Sequence, residues 1–99
     1  MLLSWFDAGE AKAFGASLAR FFAERVPQES PWNEKKFAAK SQDVLQKMSR
    51  QVQEFKATRK IGIYKKAQIG NAFKWALKDA GYNEQYIERL TLWLVSTLR

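Results

Sequence analysis

The chain of 99 residues contains no cysteine and no histidine. The first absence excludes disulfides and thiolate chemistry. The second removes the commonest general base and the commonest metal ligand. A soft-metal site is therefore excluded on ligand grounds. A hard Mg²⁺ or Ca²⁺ site would need an oxygen cage, and no EF-hand loop is present. Prolines number two and glycines five, far too few for a low-complexity chain. No apolar run approaches the roughly 18–20 residues that span a bilayer. The opening MLLSWFDAGEAK has no basic start and turns acidic at Asp7, unlike a secretory leader. There is no cysteine-based lipidation site. A soluble, cytoplasmic protein is the expectation.

Signatures of catalysis are missing too. The patterns GxGxxG, GxxxxGK[ST], HExxH, GxSxG and SxxK do not occur. Ten carboxylates remain, and several are accounted for as helix caps or helix-surface ion partners. No carboxylate pair stands on an apolar background, which an acid of raised pKa requires. The expectation is a protein that is not an enzyme, with no catalytic residue, cofactor, metal or small-molecule substrate. No motif places the chain in a family.

What is present is ordinary globular material. Apolar residues make up 46% and charged residues 27%, with both signs interspersed. The length is that of one domain over residues 1–99, able to bury roughly 60–70% of its unfolded surface. The apolar spacing is helical throughout and no strand pattern emerges, so the fold class is all-α, a small bundle of four helices.

The first helix is expected from Asp7 to Val26, with Asp7 and Glu10 as a capping box. Ala11, Phe14, Leu18, Phe21, Phe22 and Val26 recur at three- and four-residue steps. Gly9, Gly15 and several alanines thin this helix for the close approach of a neighbour. Pro27 stops it. In the connector, Ser30 before Pro31 and Asn33 are alternative caps. The second helix, Glu34 to Lys56, is expected to be the longest. Its stripe is Phe37, Ala38, Ser41, Val44, Leu45, Met48, Val52 and Phe55. Opposite lie Lys36, Lys40, Asp43, Lys47, Arg50 and Glu54, with Asp43–Lys47 and Arg50–Glu54 spaced as ion pairs. A third helix runs from Tyr64 to Ala80, stopped by Gly81. A fourth runs from Glu84 to Leu98, capped by Asn83 and stapled by Tyr82 and Ile87. The expected core is Phe14, Leu18, Phe21, Phe22, Val44, Leu45, Met48, Val52, Phe55, Phe73, Leu77, Ile87, Leu90 and Leu94.

Charge is distributed unevenly. Residues 1–34 carry a net −2, residues 35–78 a net +10 and residues 79–99 a net −1. The whole excess of +7 thus lies in the middle, which hints at polyanionic partners. Lysine also serves solubility, so the arrangement matters more than the sum. The stretch KIGIYKKAQIGNAFKWALKDAG, residues 60–81, concentrates the question with five lysines and three aromatic residues. At about 100° per residue, Ile69, Phe73, Ala76, Leu77 and Ala80 share one side of the helix. Asn71, Lys74, Trp75 and Lys78 share the other. Lys65 and Lys66 lie near its start, with Arg59 and Lys60 just upstream. One reading is nucleic-acid contact: lysines on phosphates, Asn71 on a sugar or base edge, Trp75 stacked on an unpaired base. A single arginine, and no known nucleic-acid signature, restrict it to sequence-independent binding. The plain structural reading has Trp75 packed beneath a neighbouring helix and the lysines solvating the exterior. An anionic membrane or acidic protein is a weaker fit, because the third helix lacks a broad insertion face.

The fourth helix raises a different expectation. Six of its nine residues from Leu90 to Leu98 are apolar and they spread around the helix. Leu90, Leu94 and Leu98 form one stripe, while Tyr86, Leu92, Trp93 and Val95 point elsewhere. Such a helix either occupies the centre of the domain or is covered by a second copy. Self-association as a homodimer through Tyr86, Leu92, Trp93 and Val95 is the leading functional expectation. Sequence-independent polyanion binding through Arg59, Lys60, Lys65, Lys66, Asn71, Lys74, Trp75 and Lys78 is the alternative.

Overall fold

The structure is a computed structural model that describes the backbone of residues 2–26 and 34–99 and the side chains of residues 9–26 and 40–99. It is all-α. Helix α1 spans Leu2–Arg25, α2 Glu34–Ala57, α3 Ile63–Asp79 and α4 Glu84–Leu98. The connector readings at Pro27, Ser30, Pro31 and Asn33 lie outside the described residues, as do the side chains of Lys36, Phe37 and Ala38.

Two expectations are corrected. Asp7 lies inside α1 rather than capping it, because the helix continues upstream to Leu2. The second helix is not the longest, since α1 and α2 both have 24 residues. The other boundaries fall within a residue of the sequence reading, and the α3–α4 turn shows why. Gly81 takes φ 94°, the only positive φ among the described residues. Its N–H donates to the Lys78 carbonyl, and the Tyr82 N–H donates to the Leu77 carbonyl. This is a Schellman stop, and a side chain with a Cβ would strain at Gly81. Asn83 then caps α4, its Oδ1 accepting from the Tyr86 N–H at 2.8 Å, while Tyr82 and Ile87 on either side are both buried.

The helices pack as a ring rather than in chain order. α1 packs most closely on α3, α3 on α4, and α2 closes against α1 and α4. α2 and α3 therefore sit diagonally. The exposed Lys40, Lys47 and Arg50 of α2 look away from the outer face of α3, so the basic block of the sequence divides into separate surfaces. On the α2 exterior Lys47 and Asp43 pair at 3.3 Å, an exposed pair of little weight.

Ten of the fourteen expected core residues are buried. Phe14, Phe21, Leu45 and Phe55 pack partly buried against them. Ala11, Ala19, Val26, Ile69, Tyr82 and Leu98 complete the buried hydrophobic set among the described residues. Ala80, expected inward, is exposed because α3 ends at Asp79. Gly15 is where α1 and α3 come closest. A Cβ built there would run into the carbonyl oxygen of Ile69 and meet the Cβ of Ala72 at 3.1 Å. Gly9, expected to serve the same purpose, faces open space.

An aromatic cluster joins the ends of three helices. Phe22 lies 5.7 Å from Tyr82 and 6.0 Å from Tyr86 between ring centroids. The Tyr82 hydroxyl donates to the Val26 carbonyl, and the hydroxyls of Tyr86 and Ser41 share a 3.2 Å hydrogen bond. Burial, reinforced by Tyr86, pushes Tyr82 up to about 12. The unfolded chain releases this proton near pH 10. A raised folded pKa therefore contributes stability that is whole below about pH 10 and fades as pH rises toward 12. Urea unfolding across that window should show the midpoint falling. Tyr82→Phe should flatten the fall, and at neutral pH should cost about 1 kcal/mol because the Val26 carbonyl loses its donor.

Candidate nucleic-acid interface

The rotation of α3 is set by its buried side. Ile69, Gly70, Phe73 and Leu77 face the core. Asn71, Lys74, Trp75 and Lys78 consequently face solvent, as the helical wheel requires. Trp75 is 52% exposed, so it does not pack beneath a neighbour, and the plain structural reading of this residue fails. Burying Trp75 would have turned Phe73 and Leu77 out. Tyr64, 66% exposed, belongs to the same face at seven and eleven residues before Asn71 and Trp75. The wheel that singled out Trp75 would have found Tyr64 had that face been followed two turns upstream of Asn71.

The eight basic-segment residues do not act as one group. Asn71, Lys74, Trp75 and Lys78 are brought together on one face. The Lys78 ammonium lies 5.1 Å from the Trp75 ring centroid and 3.7 Å from the Glu84 carboxylate. Lys74 has no ion-pair partner among the described residues. Lys60 is exposed just before α3, and its carbonyl accepts from the Lys65 ammonium at 3.3 Å. Lys65 and Lys66 are half-buried. Arg59 is drawn elsewhere. Its guanidinium binds the Glu10 carboxylate at 2.7 Å and lies 4.4 Å from the Phe55 ring centroid, and that ring is stacked on Phe14 at 4.0 Å. Its hydrogen bond holds the Glu10 carboxyl below the usual range. Arg59 thus ties the end of α2 to α1.

The four residues expected at a self-association surface divide differently. Tyr86 is half-buried within the aromatic cluster, stacked near Tyr82 at 5.9 Å. Trp93 is partly buried against the core and lines a shallow cleft with Gln42, Leu45 and Ser49 of α2. Val95 is half-buried, and its Cγ2 lies 3.3 Å from where a Cβ on Gly70 would sit. Leu92 is 69% exposed. Leu90, Leu94 and Leu98 are in the core, so most of the apolar circumference of α4 is covered by the chain's own helices.

A groove that sequence reasoning did not anticipate runs between α3 and α4. Ala67, Gly70, Asn71 and Lys74 face Thr91 and Val95 around a cavity of about 370 Å³. A second cavity of about 240 Å³ continues it, between Lys74 and Lys78 on one side and Glu84, Ile87 and Glu88 on the other. Lys74 stands at the junction. The Thr91 hydroxyl is buried at the first cavity without a hydrogen-bond partner. Among the described residues no three carboxylates gather into a metal site, and no helix is long and apolar enough to cross a membrane. Comparison with family models, with curated proteins and with solved structures finds no match to this chain.

Proposed function

We propose that this is a non-enzymatic module that binds nucleic acid without sequence specificity through the outer face of α3. The observation that carries the reading is the exposed Trp75 set beside Lys74 and Lys78. Lysines neutralise phosphates and release counterions. An exposed aromatic ring gives any unpaired base a stacking platform. The amide of Asn71 adds donors and an acceptor for sugar or base edges.

The test is fluorescence anisotropy of labelled single- and double-stranded oligonucleotides over a salt series. Binding should weaken with salt at a slope of roughly −0.7 to −0.9 per neutralised phosphate. Lys74→Glu combined with Lys78→Glu should weaken it by about tenfold or more, while circular dichroism keeps its helical signature. Unchanged affinity in that variant means that this face is not the site.

Self-association as a homodimer is a second reading, favoured by the exposure of Leu92 on α4. Sedimentation at high concentration tests it. A monomer there, or a dimer that survives Leu92→Glu, counts against this surface.

A further inference from the structure

We infer that α1 completes this site: Lys12 and Arg20 join the outer face of α3 in a two-helix platform that takes a single strand, with bases on Tyr64 and Trp75. This rests on the nucleic-acid reading above and specifies its surface and the form of its ligand. α1 and α3 run in the same direction, since Arg59 meets Glu10 at one end and Tyr82 meets Phe22 at the other. Gly15 turns α1 onto Ile69 and Ala72, and Phe14 turns it toward Phe55 of α2. The remaining flank carries Lys12 and Arg20, both exposed. It borders the side of α3 that carries Tyr64 and Trp75, because α4 occupies the other side, with Val95 at Gly70. Arg20, about 7.5 Å beyond Gly15 along the helix, comes level with Trp75. Lys12 comes level with Gln68, between the two rings. Neither cation has an ion-pair partner among the described residues. The net −2 of residues 1–34 hides this contribution.

The rings and the charges together select the ligand. Tyr64 and Trp75 lie on one line of the helix, about 16 Å apart along its axis, and both are open to solvent. Cations flank that line on both sides, Lys12 and Arg20 from α1 and Lys74 and Lys78 from α3. A strand laid along it stacks unpaired bases on both rings, separated by about five nucleotides of a stacked strand. Its phosphates meet a cation whichever side they face, and nothing in the contact depends on sequence. A duplex offers phosphates but keeps its bases paired, which leaves both rings unused. The acids Asp79 and Glu84 lie beyond Trp75 and end the path at Lys78. The exposed pair of Lys78 with Glu84 at 3.7 Å is weak enough for phosphate to displace. From Lys78 the strand runs to the start of α3, where Lys60 is exposed.

Anisotropy with three labelled probes of equal length tests the platform: oligothymidylate, the same backbone with abasic sites throughout, and a duplex. Oligothymidylate should bind about tenfold more tightly than the abasic strand, the scale of one stacked base, and more tightly than the duplex. Lys12→Gln with Arg20→Gln should weaken it about tenfold and lower the salt slope by about 1.4, the share of two phosphate contacts. Lys40→Gln with Arg50→Gln makes the same charge change on exposed positions of α2, away from the platform, and should weaken it much less. Tyr64→Ser should weaken thymidylate binding about tenfold and leave abasic binding unchanged. Circular dichroism verifies that each variant keeps its helices, all four positions being exposed. Equal losses from the α1 and α2 pairs overturn the contact with α1, while a loss in Lys74→Glu with Lys78→Glu keeps the α3 face standing. A duplex bound as tightly as oligothymidylate overturns the single strand, and unchanged thymidylate binding in Tyr64→Ser overturns the second ring. Binding of no probe at low salt overturns both readings.

Discussion

Gly15→Ala is expected to destabilise the domain by about 2 kcal/mol or more, because the added methyl forces two helix backbones apart. Taken by itself, alanine in a helix interior is worth about 1 kcal/mol over glycine. The sign reverses here because the new carbon would strike the Ile69 carbonyl oxygen, with the Ala72 Cβ at 3.1 Å. A backbone carbonyl in the middle of α3 cannot swing aside as a flexible side chain does. Relief requires α1 to move off α3, loosening the closest packing in the molecule. Gly9→Ala is the matched control, on the same helix with open space around it. It should stabilise by up to about 1 kcal/mol. Thermal and urea unfolding of the pair measures both. A rise in both variants would show that the close approach at Gly15 does not hold in solution.

Phe22→Ala should have the largest effect of any single truncation, about 3–5 kcal/mol, against a total of about 5–15 kcal/mol for a typical domain. Phe22 is fully buried and its ring neighbours both Tyr82 and Tyr86. Removing it opens a cavity where α1 meets the α3–α4 turn. The Tyr82 bond to the Val26 carbonyl and the Tyr86 bond to Ser41 are both set by rings that lean on Phe22. Phe14→Ala is the comparison. That ring is only partly buried, stacked on Phe55 near the surface, and its loss should cost less than half as much. Urea unfolding ranks the two, and equal costs would refute the assignment of Phe22 as the centre of the core.

This contrast also marks where the sequence stops being informative. Helical period puts Phe14, Phe21 and Phe22 on the inward side alike, and no local signal ranks them. Their ranking depends on Tyr82 and Tyr86, some sixty residues on, and on how α1 meets the α3–α4 turn. Local chemistry was readable where it was self-contained. Gly81 and Asn83 mark the end of α3 and the start of α4, because a left-handed stop and a side-chain cap are written in adjacent residues. Asp7 misled for the same reason, since a capping pattern cannot report that apolar residues upstream prolong the helix.

The candidate site divides along the same line. Asn71, Lys74, Trp75 and Lys78 share a face by helix geometry alone, and that face was legible. The groove was not, because Thr91 and Val95 reach it only through the packing of α4 on α3. Arg59 was assigned to the basic surface because its partner Glu10 lies 49 residues away. The broad apolar circumference of α4 suggested a second copy for a similar reason. Phe22, Ser41 and Gly70, which cover Tyr86 and Val95, come from three other helices.

The ring order of the helices bears on how the chain acquires its shape during synthesis. α1 emerges first, yet its main partner is α3, and the α1 stripe ending in Phe22 and Val26 waits partly uncovered until residues near Leu77 have been made. α3 and α4 are joined by a four-residue turn with its own stop and cap, so they can pair locally and quickly. α1 must then be captured across a long loop, a step whose entropy cost slows folding. During that interval α2 covers the apolar stripe of α1 only in part, the condition under which new proteins aggregate or recruit chaperones. The close seat of α1 on α3 at Gly15 can therefore form only after α3 has been made.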